Sequence, residues 1–240
     1  MLFKYPFITF YLPKKNRFAL SLFTLFFMLT PPISNATLIT FINEIHYDNS
    51  SSDVNEFIEI ASLASSDLSN LALVLYNGGS GKQYQSKTLS SYTLSNINNG
   101  YGFIKIAISG IQNGTADGIA LVNNETSKVL QFLSYEGTLT AIDGLASGMT
   151  SVDINVKESS STPIGFSLQL GGNGRYYKDF YWQKAQVSSP NTVNINQRFT
   201  QVPEPNTKYL LLLGLTLLIF RLTKQCKAQL KLSKSLLSLV

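Results

Sequence analysis

The chain has 240 residues, 44% hydrophobic and 14% charged, with one cysteine, one histidine and a formal net charge of +5. That basicity sits at the ends. All fourteen Asp and Glu fall between Glu44 and Glu204 beside only nine Lys and Arg, so the body is near −5 and a basic phosphate-binding footprint is excluded there. The lone Cys226 lies in the tail, which excludes a disulfide framework, a thiol nucleophile and a cysteine metal site from the body.

Lys14, Lys15 and Arg17 precede an apolar run from Phe18 to Leu29, followed by Pro31, Pro32 and the small-residue stretch Ser34-Asn35-Ala36. This order predicts an export signal over residues 1–36, cleaved after Ala36. An uncleaved N-terminal anchor is the alternative, and the two prolines and Ala36 argue against it. Residues 37–200 then form the exported body, at about 165 residues enough for one domain with a real core.

Helical periodicity is scarce in the body, whereas short β-rich runs recur between clusters of Gly, Asn, Asp and Ser. The expected strands are Leu38–His46, Glu56–Ala61, Ala72–Tyr76, Lys82–Leu89, Tyr101–Ile108, Gly118–Val122, Lys128–Tyr135, Phe166–Leu170 and Phe180–Gln183. In the first, strict alternation puts Phe41, Asn43, Ile45 and Tyr47 on one face and Ile42, Glu44 and His46 on the other. Turns are expected at Asn77-Gly78-Gly79, Asn98-Asn99-Gly100, Asn113-Gly114, Asp117-Gly118 and Gly171-Gly172-Asn173-Gly174. Residues 138–162 read as a long surface loop, with Ser159–Pro163 its most flexible part. Short strands at this spacing predict an all-β sandwich.

Six polar side chains crowd the first hairpin: Glu44, His46, Asp48, Asp53, Glu56 and Glu59. The favoured reading puts them on its solvent face and loop. As the only histidine, His46 would have to serve any histidine-dependent triad or zinc site, so a metal-dependent hydrolase would use Glu44, His46 and Asp48. Asp48, Asp53 and Glu56 offer hard oxygen ligands for calcium, although the loop lacks the EF-hand order. Tyr177 and Trp182, within an aromatic cluster that includes Arg175 and Lys178, are candidates for stacking on a carbohydrate, with core packing as the plainer reading.

Residues 201–240 form a third segment. Pro203-Glu204-Pro205 marks an extended hinge. Tyr209 to Phe220 is apolar, and Arg221, Lys224 and Lys227 close it. Twelve helical residues span only about 18 Å of a ~30 Å hydrocarbon core, so such an anchor would have to recruit its flanks. Beyond it, Lys224, Lys227, Lys231 and Lys234 would share one face of an amphipathic helix suited to an anionic leaflet.

Two resemblances follow from these strings. The order of Pro203-Glu204-Pro205, apolar run and Arg221 resembles the PEP-CTERM sorting signal of exported bacterial proteins. It implies a transmembrane sorting helix, an exosortase-type processing protease as partner, and transient membrane anchoring before release to the cell surface or an exopolysaccharide matrix. A plain single-pass anchor is the alternative. The segments INEIHYDNSSSDVNEFIEIAS, DLSNLALVLYNGG and DGIALVNNETSKVLQF resemble the lamin-tail domain in its bacterial form, with Leu71 where that pattern has a tryptophan. This implies an immunoglobulin-like β-sandwich over about residues 40–137 that the rest of the body completes. The expected function is a non-catalytic, surface-directed adhesive or matrix-binding module without a required cofactor. A secreted hydrolase and a permanently anchored structural protein are the alternatives.

Overall fold

The computed structural model describes residues 38–201 and 211–225. Ala36, Pro203, Glu204, Pro205 and Cys226 lie outside them.

The turn chemistry and β-branched runs form the expected strands: β1 (Phe41–His46), β2 (Phe57–Leu63), β3 (Leu71–Tyr76), β4 (Gln83–Thr88), β5 (Tyr101–Ala107), β6 (Gly118–Asn123), β7 (Lys128–Ser134), β9 (Phe166–Gly174) and β10 (Phe180–Val187). Two short strands complete them, β8 (Val152–Asp153) and β11 (Gln197–Phe199). One sheet runs β10-β9-β1-β2-β5, with β11 parallel to β9; the other runs β4-β3-β6-β7-β8. The molecule is thus mostly β, built of two sheets over a shared core.

That core joins Ile42, Ile45, Ile58, Ile60, Ile106 and Leu168 from the first sheet to Leu71, Leu73, Leu75, Ile119, Leu121 and Leu133 from the second. Strict alternation fails in β1. The register with β2 shifts between Ile42 and Glu44, and the extra residue is Asn43. A bulge of this kind breaks the period of two. Ile42 therefore joins Ile45 and Tyr47 in the central core, while Phe41 packs on the opposite face with Ala61, Phe103, Leu170 and Phe199. At the bulge the Ile42 backbone N–H donates to Gln131 Oε1 of β7 at 2.9 Å, joining the two sheets.

Neither outer face is simply solvated. Residues 188–199 cross the outer side of the first sheet, ending in β11, which extends along β9 where β1 no longer pairs with it. The second sheet buries Val74, Tyr76, Ala120 and Phe132 under Leu139, Ala141 and Ala146. Residues 138–162 are therefore not a free surface loop. Leu139, Ala141 and Ala146 close a second small core while Ile142, Met149 and Val152 stay exposed, and Ser159–Thr162 forms a turn tied to the first hairpin by Ser50 N–H donating to the Thr162 carbonyl at 2.8 Å. The expected Gly171–Gly174 turn is instead the end of β9, where the Gln183 side chain lies over Gly171 and Asp179 over Gly174.

Asn194 holds the crossing segment down. Its Nδ2 donates to the Asn43 carbonyl at 2.9 Å and the Leu170 carbonyl at 3.1 Å, while its Oδ1 accepts from Ser189 Oγ at 3.1 Å. Asn194→Ala removes the donor to both carbonyls, and the expected loss is about 2–3 kcal/mol in urea unfolding. A loss below about 0.5 kcal/mol would show that Asn194 does not secure this segment.

Candidate functional site

The bulge and the crossing segment decide the fate of the polar hairpin residues. Glu44 and Glu59 stand opposite one another on β1 and β2, and each is 0% exposed. Glu44 accepts from Ser189 N at 3.0 Å, Gln169 Nε2 at 3.3 Å and the Ser167 hydroxyl. Glu59 accepts from Asn43 Nδ2 at 3.0 Å and from the Asn191 backbone N–H. The expectation that these carboxyls face solvent is overturned, because residues 188–199 cover them. Burial raises the Glu44 carboxyl above its ordinary value despite its donors. Burial, then the neighbouring Glu44 charge, pushes Glu59 up to about 8. Two enclosed carboxyls this close resist ionising together, and Glu59, with fewer donors, is the one kept as the acid.

His46 is equally enclosed at 2% exposure. Its Nδ1 lies 3.0 Å from Glu158 Oε1, and its Nε2 lies 3.0 Å from the Val54 carbonyl oxygen. Glu158 also accepts from the Tyr47 and Asp48 backbone N–H groups, at 2.6 and 3.0 Å. Its own N–H donates to the Tyr47 hydroxyl at 2.8 Å. Tyr47 stacks on Tyr135 with ring centroids 3.9 Å apart, which fixes that hydroxyl. Glu44, His46 and Asp48 therefore share no common site. Glu44 belongs to the covered box, His46 to Glu158, and Asp48 to the edge of a cleft.

That cleft is open and acidic, about 410 Å³ in volume, and lined by Asp48, Asp53, Glu136, Lys157, Glu158 and Ser160 among others. Lys157 reaches across it to Glu136 at 3.4 Å. Partial burial, then the charge of Asp53, raises the Asp48 carboxyl. Of the three expected calcium ligands only Asp48 and Asp53 come together. Glu56 is absent from the lining and accepts from Gly110 N at 2.7 Å instead. Among the described residues no three His, Cys, Asp or Glu side chains are disposed to hold a metal ion.

The aromatic pair is a packing feature first. Trp182 Nε1 donates to the Tyr177 hydroxyl at 3.1 Å, and both rings are half-buried against the hydrophobic clusters. Tyr181 is the exposed ring of this strand, at 61%. In the tail, residues 211–225 are helical, with Leu211, Leu217 and Phe220 exposed and Arg221 near the C-terminal end. Lys224 Nζ sits 4.8 Å from the Phe220 ring. No described helix is long and apolar enough to cross a membrane.

Glu136, Lys157, Glu158 and the donors at Ser189, Asn191 and Asn194 were not singled out by sequence reasoning. No local pattern marks Glu158, which lies 112 residues from His46. No family model, no curated protein and no solved structure matches the chain.

Because the folded protein favours protonated Glu59, that contribution to stability is complete below the ordinary carboxyl value of 4.5 and is lost as pH rises towards about 8. Glu59→Gln removes the ionisable carboxyl, although its NH2 must then face the Asn43 Nδ2 or the Asn191 N–H donor. Its stability relative to the wild type is expected to be on the order of 2–3 kcal/mol more favourable at pH 8 than at pH 5, read by urea unfolding at both. An equal effect at the two pH values would exclude a retained proton on Glu59.

Proposed function

We propose that this chain is an exported, surface-directed β-sandwich of the immunoglobulin-like, lamin-tail type, acting as a non-catalytic binding module in an extracellular polysaccharide matrix. In this reading residues 1–36 direct export. An exosortase-type protease acts near Pro203-Glu204-Pro205, and the apolar helix ahead of Arg221 tethers the protein to the membrane until then. The observation that carries the non-catalytic part is the engagement of the only histidine. With both His46 nitrogens held in the core by Glu158 and Val54, no imidazole is free to activate a nucleophile or water. Glu44 is withdrawn beneath residues 188–199, away from His46 and Asp48, which speaks against the alternative of a hydrolase built on these three. What the body offers a partner is its acidic cleft, which suits cationic groups. Tyr181 is the better placed ring for a sugar, since Tyr177 and Trp182 bond to each other.

The purified body is expected to hydrolyse neither phosphate esters nor nucleic acid, with or without divalent metal. Hydrolysis by the wild type that disappears in His46→Ala would overturn the reading. Delivery is tested separately by intact mass of the surface-exposed protein, expected to begin at Thr37 and to lack the apolar tail. A mature form retaining Lys231 would favour a permanent anchor.

No cofactor is required in this account. EDTA is expected to leave the thermal midpoint of the body unchanged. A rise of several degrees in millimolar calcium, lost in Asp53→Asn, would instead establish a calcium site in the cleft.

A further inference from the structure

One enclosed titratable pair fastens a wall of the acidic cleft, and its hydrogen count can be read from its contacts. Glu158 enters from the segment between β8 and β9 and is 1% exposed. Its carboxylate closes the end of β1 by accepting from Tyr47 N and Asp48 N, at 2.6 and 3.0 Å. The same carboxylate meets His46 Nδ1 at 3.0 Å, and His46 Nε2 meets the Val54 carbonyl oxygen at 3.0 Å.

A carbonyl oxygen can only accept, so Nε2 must carry a hydrogen. A second hydrogen must lie between Nδ1 and Glu158 Oε1, because two bare lone pairs would otherwise face each other. A neutral imidazole beside an ionised carboxylate has one hydrogen for these two contacts. The pair as drawn therefore retains an extra proton. Glu158 Oε2 already accepts from two backbone N–H groups, so the hydrogen shared at Oε1 is drawn on ring Nδ1.

We propose that His46 and Glu158 form a proton-dependent latch. Protonated, it fixes residues 157–160 against the hairpin loop 48–54; when the proton is lost, that wall loosens and the cleft changes shape. Its consequence for ligands rests on the binding reading of the cleft, whereas the latch itself rests on the four contacts around Glu158 and His46.

The surroundings set the direction. Glu158 is the charged side chain that hydrogen-bonds His46 among the described residues. Glu44 on β1 and Asp48 just past its end lie two residues to either side of His46, and Asp53 stands in the hairpin loop. From β2, Phe57 pairs with His46, ring centroids 6.0 Å apart, with Glu59 two residues beyond. From β5, Lys105 Nζ lies over Phe57, 4.6 Å from its centroid. Glu136 and Lys157 face each other across the cleft. Burial by itself would lower the imidazole, but the hydrogen bond and charge of Glu158, then the Val54 carbonyl, carry it above its ordinary value of 6.5. The latch thus holds below that value and opens as pH rises past the raised one.

The single histidine makes the test direct, because one imidazole resonance set reports on the pair in the full chain. At about pH 6, nitrogen-detected NMR is expected to show both ring nitrogens protonated. As pH rises through that ring's own midpoint, exchange of the Tyr47 and Asp48 amides, corrected for intrinsic rate, is expected to accelerate by at least about tenfold. His46→Gln should remove this step, and Glu158→Gln should lower the imidazole midpoint. A singly protonated ring at about pH 6, or Tyr47 and Asp48 protection that ignores the imidazole midpoint, overturns the latch. The wild-type titration decides even if a variant fails to fold. Failure of the cleft to bind a ligand leaves both readouts intact, so the two ideas fail separately.

Discussion

One extra residue in the first strand governs the arrangement of the whole body. Asn43 breaks the period of two in β1, so that both Ile42 and Ile45 enter the central core although they are three residues apart. The same interruption leaves the Ile42 N–H for Gln131 of the other sheet, and the Asn43 carbonyl and side chain for Asn194 and Gln197 of the crossing segment. A bulge is usually a local adjustment of twist. Here it is also the attachment point for a third layer, and that layer converts a solvent face into an interior.

The conversion has an electrostatic consequence. Enclosing Glu44 and Glu59 together is unfavourable for two charges, and donors from β9 and residues 188–199 offset only part of it. The fold accommodates the remainder by holding a proton. In the proposed latch the His46–Glu158 pair likewise retains a proton in the interior, on the contacts of both ring nitrogens. Polar residues that could have served chemistry are thereby committed to fastening segments distant in sequence. The Tyr47 and Asp48 amides are held by a side chain more than a hundred residues away.

Much of this fold was legible in the sequence. Pairs such as Asn77-Gly78 and Asp117-Gly118 punctuate the chain, and β-branched runs between them fall where β2, β3, β5 and β6 form. The missed strands, β8 and β11, are two and three residues long and exist only because β7 and β9 offer them an edge. Alternation misplaced Phe41 and Ile42 because a bulge leaves no mark in residue type at Asn43. The polar hairpin was misjudged for a different reason. Glu, His and Asp read as solvent-facing when nothing local announces a cover, and the cover lies about 130 to 150 residues downstream of Glu59 and Glu44. The run Ser159–Thr162 looks mobile by composition, yet its carbonyl at Thr162 is tied to Ser50.

The bulge and the crossing segment enclose the β1 and β2 carboxyls, so that these residues act as structure. Side-chain carboxyl carbon NMR, following Glu44 and Glu59 through a pH titration, tests this most directly. Glu59 is expected to titrate near 8 and Glu44 above the ordinary glutamate value of 4.5. Titration of both near that ordinary value would place them in solvent and contradict the buried box, the third layer and the role given to Asn43.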